Sequence, residues 1–271
     1  ANQALAAARV GASVAMIGCV GRDAFADTAL SLLRREAIDL SAVAVSSRPT
    51  CCASVWVDAA GENAIVVASG ANQDTRAAQM AARDLARGDW LMLQMEVPPE
   101  ENWKAVSLAR AAGARIMLSA APAGPIPERV LQGIDVLLVN QIEGGMIAAA
   151  VGLDCTRPSD IVYGLTRRFG FSCIMTLGAE GAICFGPEGG FQAPALPVTP
   201  VDTTGAGDAF AGILCASLER GASMADAVRR ASAGAALACT KLGAQPSLPY
   251  VKEIDAAARK LAVSRPFGVV A

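Results

Sequence analysis

Apolar and polar residues alternate along this chain on two different periods, and the switches between them mark out its elements. Stretches with apolar residues three and four apart read as helices; short apolar runs closed by glycine or polar turns read as strands. Residues 2–10 form an alanine-rich helical stretch. Ser13 to Ile17 reads as a short buried strand, with Gly18 and Gly21 bracketing the turn after it. A helix is predicted over 24–36, with Leu30, Leu32 and Leu33 facing inward. Residues 51–57 and 63–68 read as two strands joined by Asp58-Ala59-Ala60-Gly61-Glu62, the one clear antiparallel hairpin of the first half.

From Trp90 onward strands and helices take turns. Strands are predicted at Trp90–Gln94, Arg115–Leu118, Val136–Val139, Cys173–Leu177 and 181–185. Helices are predicted at 99–112, just after Pro127, and at about 143–150, 157–168, 207–219, 223–241 and 250–262. Apolar strands alternating with helices predict an α/β fold, a mostly parallel sheet covered on both faces. Ligands of such sheets bind beyond the carboxyl ends of the strands. Chemistry is therefore expected at strand-to-helix junctions.

Composition narrows the chemistry. The 271 residues suit one large α/β domain or two modest ones, and 53% hydrophobic content allows a sizeable core. No long apolar run is free of charge, so no membrane span is expected. A net charge of −2 without a basic stripe argues against nucleic-acid binding. The eight cysteines (Cys19, Cys51, Cys52, Cys155, Cys173, Cys184, Cys215 and Cys239) make no CxxC pair and sit mostly in apolar runs. A reduced, cytoplasmic protein is expected. The chain contains no histidine, which excludes Ser-His-Asp and Cys-His nucleophile systems and His-ligated metals. Any general base must be Asp, Glu, Lys, Tyr or Cys.

The strongest local signal is Asp202-Thr203-Thr204-Gly205-Ala206-Gly207-Asp208-Ala209-Phe210-Ala211-Gly212, after a proline-punctuated stretch and before a strongly apolar helix. Gly205 and Gly207 let the backbone approach a ligand closely. The amides of 205–207 at a helix N-terminus make an anion site. Asp208, in the first turn beside them, can accept the proton of an attacking hydroxyl while the amides stabilise a transferred phosphoryl group. The competing structural reading makes Asp202 and Asp208 caps and the glycines a plain turn. A dinucleotide fingerprint, as in a Rossmann-type oxidoreductase, is the weaker reading because the third glycine is misplaced and the motif comes late, and no Walker loop is present.

At this segment the sequence resembles the ribokinase-like sugar kinases, the phosphofructokinase-B family. Asn2-Gln3-Ala4 with Gly11 and Gly21 is spaced like the family's N-terminal signature. Asp202 to Gly212 matches the C-terminal one, with Ile213 where a small residue is usual. Leu93-Gln94-Met95-Glu96, Asn140-Gln141-Ile142-Glu143, Thr176 to Gly181 and Gly243-Ala244-Gln245-Pro246-Ser247 follow in family order, over nearly the whole chain. The resemblance implies a single ribokinase-like domain over 1–271, a three-layer α/β sandwich with a small β lid whose strands lie at about 51–68. It implies ATP-dependent phosphorylation of a sugar primary hydroxyl, D-ribose to D-ribose 5-phosphate in the first place. Deoxyribose, fructose, a keto-deoxy sugar acid or a nucleoside are the alternative substrates, and a non-catalytic sugar or nucleotide sensor is the alternative outside enzymes.

Residue roles carry over on the same footing. Asp208 would be the base, with Gly205, Ala206 and Gly207 the anion hole. Asn2 and Glu96 would bond sugar hydroxyls. Asn140 and Glu143 would lie near the triphosphate and its Mg²⁺, Thr176, Gly178 and Gly181 would touch ATP phosphates and ribose, and Ser232 the base. Asp202, Thr204, Ala238, Lys241, Gly243 and Ser247 would bind K⁺, mostly through carbonyls. A homodimer through the lid is a weak implication. Bland readings stand beside these: Asn2 or Asn140 as a helix cap, Asp202 as a cap or turn residue, the Thr176 segment as an ordinary turn.

The chain also departs from the family. Members normally carry, ahead of Asn2, a first core strand, part of the lid, a sugar-binding Asp and a glycine-rich run, so a lid with an unpaired edge is expected. Residues 264–271 read as a tail past the last helix, with a rearranged first core strand as the alternative; Val269 in mid-sheet would decide for the strand.

Overall fold

Parallel strands need helical crossovers, and the second half of this chain supplies them in order. The computed structural model describes residues 1–57, 63–83 and 85–267. The first half runs α1 (Asn2–Arg9), β1 (Ala15–Val20), α2 (Ala24–Arg35), β2 (Asp39–Val45), β3 (Cys52–Val57) and β4 (Asn63–Ala68). Two 3-10 turns, Gly70–Asp74 and Ala77–Ala82, then lead to β5 (Trp90–Leu93) and α3 (Pro99–Ala112). Next come β6 (Arg115–Ser119), α4 (Glu128–Leu131), β7 (Val136–Asn140), α5 (Gln141–Ala150), α6 (Pro158–Phe169), β8 (Ser172–Thr176), β9 (Ala182–Gly186) and β10 (Gly189–Ala193). The chain closes with α7 (Ala206–Glu219), α8 (Met224–Ala238), α9 (Ala244–Ser247), α10 (Val251–Ala258) and β11 (Arg265–Phe267).

Strands β5, β6, β7 and β8 pair in parallel, and β9, β10 and β11 add on as antiparallel neighbours, giving one seven-stranded sheet. Side chains alternate between its faces, as the period of two requires. Met117, Leu138 and Ile174 pack into the layer that holds α1, α7 and α8. Ile116, Leu118, Leu137, Cys173 and Met175 pack into the layer that holds α3, α5 and α6. Two apolar faces on one sheet demand a helix layer on each side, which is the three-layer sandwich.

β1 pairs with β2 in parallel across α2, as a separate two-stranded sheet. The sequence pattern ends β1 at Ile17 and gives no sign of β2. Gly18 lies inside the strand, and β2 carries a mixed pattern with exposed Val45, so neither shows a clear apolar run. Within the described residues β1 pairs only with β2, and β5 only with β6. Both strands line one cavity of about 870 Å³, roofed by residues of α3 and α7. The lid strands β3 and β4 pair antiparallel from Cys52–Ala68 to Val57–Asn63, as expected, and form a sheet of two; the connecting turn lies outside the described residues.

The C-terminal expectation needs correcting. Residues 265–267 are neither a loose tail nor a strand among the parallel ones: β11 pairs antiparallel with β10 at the outer edge of the sheet. The β9–β10 hairpin leaves β10 with an open ladder edge. Pro266 is tolerated there because an edge strand does not need every amide. Val269 lies outside the described residues.

Helices α1 and α7 pack closely, and Gly212 is the reason. A side chain at Gly212 would strike the Gln3 carbonyl and reach Ala6 Cβ at 2.6 Å. The expected misfit at Ile213 is absorbed by a second small residue: Ile213 is fully buried with its Cδ1 against the bare Cα face of Gly234 on α8. Gly212→Val is expected to destabilise the protein by about 1–3 kcal/mol, the usual range for overpacking. Thermal unfolding followed by circular dichroism checks it, against a Gly145→Ala control at a site with open space.

Candidate active site

Because β5 to β8 run parallel, their carboxyl ends share one edge of the sheet. Glu96 follows β5, Asn140 ends β7 and Thr176 ends β8; Asn140 and Thr176 are direct partners in the ladder. Three residues singled out in separate segments of the sequence therefore lie along the same edge.

The N-terminus of α7 completes the site. Gly205 precedes the helix at φ 80°, a left-handed conformation that glycine adopts without strain. A Cβ there would stand 3.1 Å from Ala244, so the turn also packs tightly against the 243–247 segment. The Gly205 and Gly207 amides carry no hydrogen bond among the described residues, whereas the Ala206 amide donates to the Thr203 carbonyl at 3.2 Å. Two of the three amides expected to form the anion hole are thus available, together with the positive end of the helix dipole.

Asp208 lies in the first turn of α7, half-buried, and is held from α1. Asn2 Nδ2 donates to Oδ2 at 2.8 Å, and Gln3 Nε2 donates to Oδ1 at 3.0 Å. Asn2 does not cap its helix: the cap position is Ala1, and the Asn2 amide reaches across to Asp208 instead. The carboxyl of Glu96 is pushed up from its ordinary pKa, first by desolvation and then by the charge of Asp208. Those two carboxylates thus lie within electrostatic reach of each other. Glu96, Ala1 and Gln3 all line the cavity between β1 and β5.

The β7 side has a different character. Asn140 Oδ1 accepts from the Glu143 amide, and Glu143 Oε2 accepts from the Asn140 amide, each at 2.8 Å. The pair is a complete capping box on α5, so the cap reading holds whatever else these residues do. Burial pushes the Glu143 carboxyl above its ordinary pKa. Thr176 leads into a tight turn through Gly178 and Gly181, both at positive φ. Ser232 on α8 is 6% exposed, and its hydroxyl has no hydrogen-bond partner among the described residues.

Two turns meet behind Asp208. Asp202 Oδ1 accepts from the Thr204 amide and Oδ2 from the Gly243 amide, each at 2.9 Å. These bonds, the Thr204 ones foremost, hold the Asp202 carboxyl below the ordinary carboxylate range. Ala238 ends α8, and Lys241 points away to Glu253 at 3.2 Å. Ser247 is fully buried and donates to the Ala244 carbonyl at 2.8 Å. Of the six residues anticipated as cation ligands, Asp202 and Thr204 fall on one turn and Lys241 and Gly243 on the other, with Ala238 at the end of α8 and Ser247 in α9; the Asp202 carboxylate staples the two turns. No cluster of three or more acidic or cysteine side chains that could hold a metal occurs among the described residues.

Sequence reasoning passes over Gln3 and Arg9. Gln3 stands inside a recognised motif, but nothing local tells which acid a glutamine reaches. Arg9 on α1 is buried and donates to the Leu248 and Gln245 carbonyls, pairs with Glu36 at 3.3 Å and stacks over Tyr250. It ties α1 to the end of the 243–248 turn, and a single arginine in an alanine-rich helix carries no sign of that.

Comparison with known proteins agrees with this geometry. The pfkB family of carbohydrate kinases matches residues 1–250. The ribokinase of Haemophilus influenzae is 33% identical over 93% of this chain and 84% of its own length. The solved structure of a Thermotoga maritima ribokinase superposes at a TM-score of 0.86 with 28% identity, over 96% of this chain and 86% of that one. The Arabidopsis thaliana ribokinase, solved with ribose and ATP, superposes at 0.82 with 26% identity, over 95% and 86%. With its fold, its α7 glycine turn and its sheet-edge residues in family order, the chain belongs to the pfkB family of carbohydrate kinases.

Proposed function

We propose that this protein is an ATP-dependent sugar kinase that converts D-ribose to D-ribose 5-phosphate. The observation that carries the reading is Asp208: a carboxylate held by two amides at the N-terminus of a helix whose Gly205 and Gly207 amides are free. A ribokinase solved with ribose and ATP on the same fold supports the substrate pair.

In this reading the sugar's primary hydroxyl lies against Asp208, with Glu96 and Asn2 bonding its other hydroxyls. Asp208 takes the hydroxyl proton as the oxygen attacks the terminal phosphorus of ATP. The bond from that phosphorus to the bridging oxygen breaks, and ADP leaves with the electron pair. Charge on the phosphoryl oxygens falls on the Gly205 and Gly207 amides and the helix dipole. Thr176, Gly178 and Gly181 line the path of the nucleotide phosphates, and the unpartnered Ser232 hydroxyl serves the base. Asn140 and Glu143 would hold Mg²⁺ through water, where it would neutralise triphosphate charge. Asp202, Thr204, Ala238, Lys241, Gly243 and Ser247 would hold K⁺ and so firm the turn behind the anion hole.

The reading includes a cytoplasmic location and small-molecule partners only. A net charge of −2 supports the absence of nucleic-acid binding, and no helix among the described residues is long and apolar enough to cross a membrane. It also includes a homodimer through the lid, supported by Val66 and Val67 on β4, 65% and 54% exposed.

ADP release with ATP, Mg²⁺ and K⁺ is expected to depend on ribose ahead of deoxyribose, fructose and adenosine. Asp208→Asn is expected to lower that turnover by about 10²–10⁴-fold, the usual worth of a general base. Equal rates in the variant, or silence on every sugar, would overturn the proposal. Exchanging K⁺ for tetramethylammonium is expected to slow turnover, and an unchanged rate would remove the cation from the scheme.

The Asp202 staple carries its own prediction. A carboxyl whose pKa is lowered by folding stabilises the fold fully above its unfolded value near 3.8 and loses that contribution as pH falls through the lower folded value. Asp202→Asn is therefore expected to lower the urea midpoint by the same amount from pH 7 to about pH 5 and by less under pH 3.8. A difference that grows on acidification would be the opposite result.

A further inference from the structure

We infer that Gln3 is a positioning residue for phosphoryl transfer, fixing the plane of the Asp208 carboxylate from which the hydroxyl proton is taken. The inference rests on the kinase reading and extends it to a residue outside that scheme. Gln3 reaches Oδ1 at 3.0 Å while Asn2 reaches Oδ2 at 2.8 Å. The terminal torsion of an aspartate is broad and nearly two-fold, so a single donor leaves the carboxylate free to rock. One donor on each oxygen removes that freedom. Each oxygen can accept a second bond, so both keep a lone pair for an incoming hydroxyl.

The backbone geometry makes the contact hard to lose. Successive helix residues project about 100° apart, so neighbours such as Asn2 and Gln3 meet one carboxylate only where it lies over the open end of α1. Asp208 and Gly212 stand four residues apart and so share a face of α7. The Gln3 carbonyl lies against Gly212, where any side chain would displace it. Gln3 thus touches α7 twice, by its backbone at Gly212 and by its amide at Asp208. Gln3 also lines the cavity that Glu96 lines.

The charged side chain that acts on Asp208 is the Glu96 carboxylate after β5. Gln3 adds a neutral donor, and a donor favours the charged form of a carboxylate. Gln3→Leu leaves that oxygen without its donor, and Gln3→Glu sets a like charge against it.

The test compares wild type, Asp208→Asn, Gln3→Leu and Gln3→Glu in the same 271-residue chain. It measures kcat, KM for ribose and for ATP, and the pH dependence of kcat. Gln3→Leu is expected to lower kcat about 10–100-fold, the equivalent of about 1.4–2.7 kcal/mol, with KM for ATP unchanged. The acid limb of its pH profile is expected to move to higher pH, and that of Gln3→Glu further still. A fall in kcat with an unmoved acid limb in both variants would make Gln3 a packing residue and overturn the inference, as would unchanged kcat. Should Gln3→Leu fail to fold, as judged by its thermal melt, the near-isosteric Gln3→Glu decides alone, by whether its acid limb moves. A wild type silent on every sugar overturns the kinase reading itself; where the wild type turns over and Asp208→Asn is dead, the kinase reading stands and the two Gln3 variants test the positioning role by itself.

Discussion

The close approach of α1 to α7 at Gly212 is the contact on which the rest of the site depends. Helix axes normally stay 8–10 Å apart because side chains keep them there. Here one bare Cα lets the Gln3 carbonyl settle against α7. Only then do the Asn2 and Gln3 side chains fall within hydrogen-bond reach of Asp208, more than two hundred positions away in the chain. A carboxylate on the first turn of a helix is exposed on one side by construction. The second helix supplies the walls that the first lacks.

Two other constraints support the same point from behind. Asp202 clasps its own turn and the Gly243 turn with one carboxylate, so the glycine loop ahead of Asp208 cannot swing independently of the α8–α9 connection. Arg9, buried on α1, grips the end of the same connection through the Leu248 and Gln245 carbonyls. Helix α1 therefore touches Asp208 at one end and the 243–248 segment at the other. Leaving either carbonyl or the buried guanidinium without its partner would cost far more than a surface bond is worth.

The sheet shows where this chain differs in layout from a continuous α/β sandwich. β1 and β2 stand apart from the seven-stranded sheet, and the free edges of β1 and β5 border one cavity. The chain spans 84% of the Haemophilus relative and 86% of the Thermotoga structure. At the other end, β11 closes the edge left open by the β9–β10 hairpin.

Much of this was legible in the sequence, for local reasons. Strands buried on both faces, β6 to β8, are continuous apolar runs, and α7 is apolar nearly all round, so periodicity exposed them. The Asp202–Gly212 segment could be read because glycine and aspartate around a helix start have few other uses. β2 was missed because a strand with mixed faces lacks the pattern, β10 because its Gly-Gly start leaves too few apolar positions to show one, and the C-terminal strand because pairing along an open edge asks little of sequence. Local chemistry by itself placed a carboxylate beside a glycine turn at a helix start, since both lie within one short segment. Which donors hold that carboxylate was decided only by tertiary structure, because a glutamine side chain has no preferred acid until two helices are brought close enough for it to reach one.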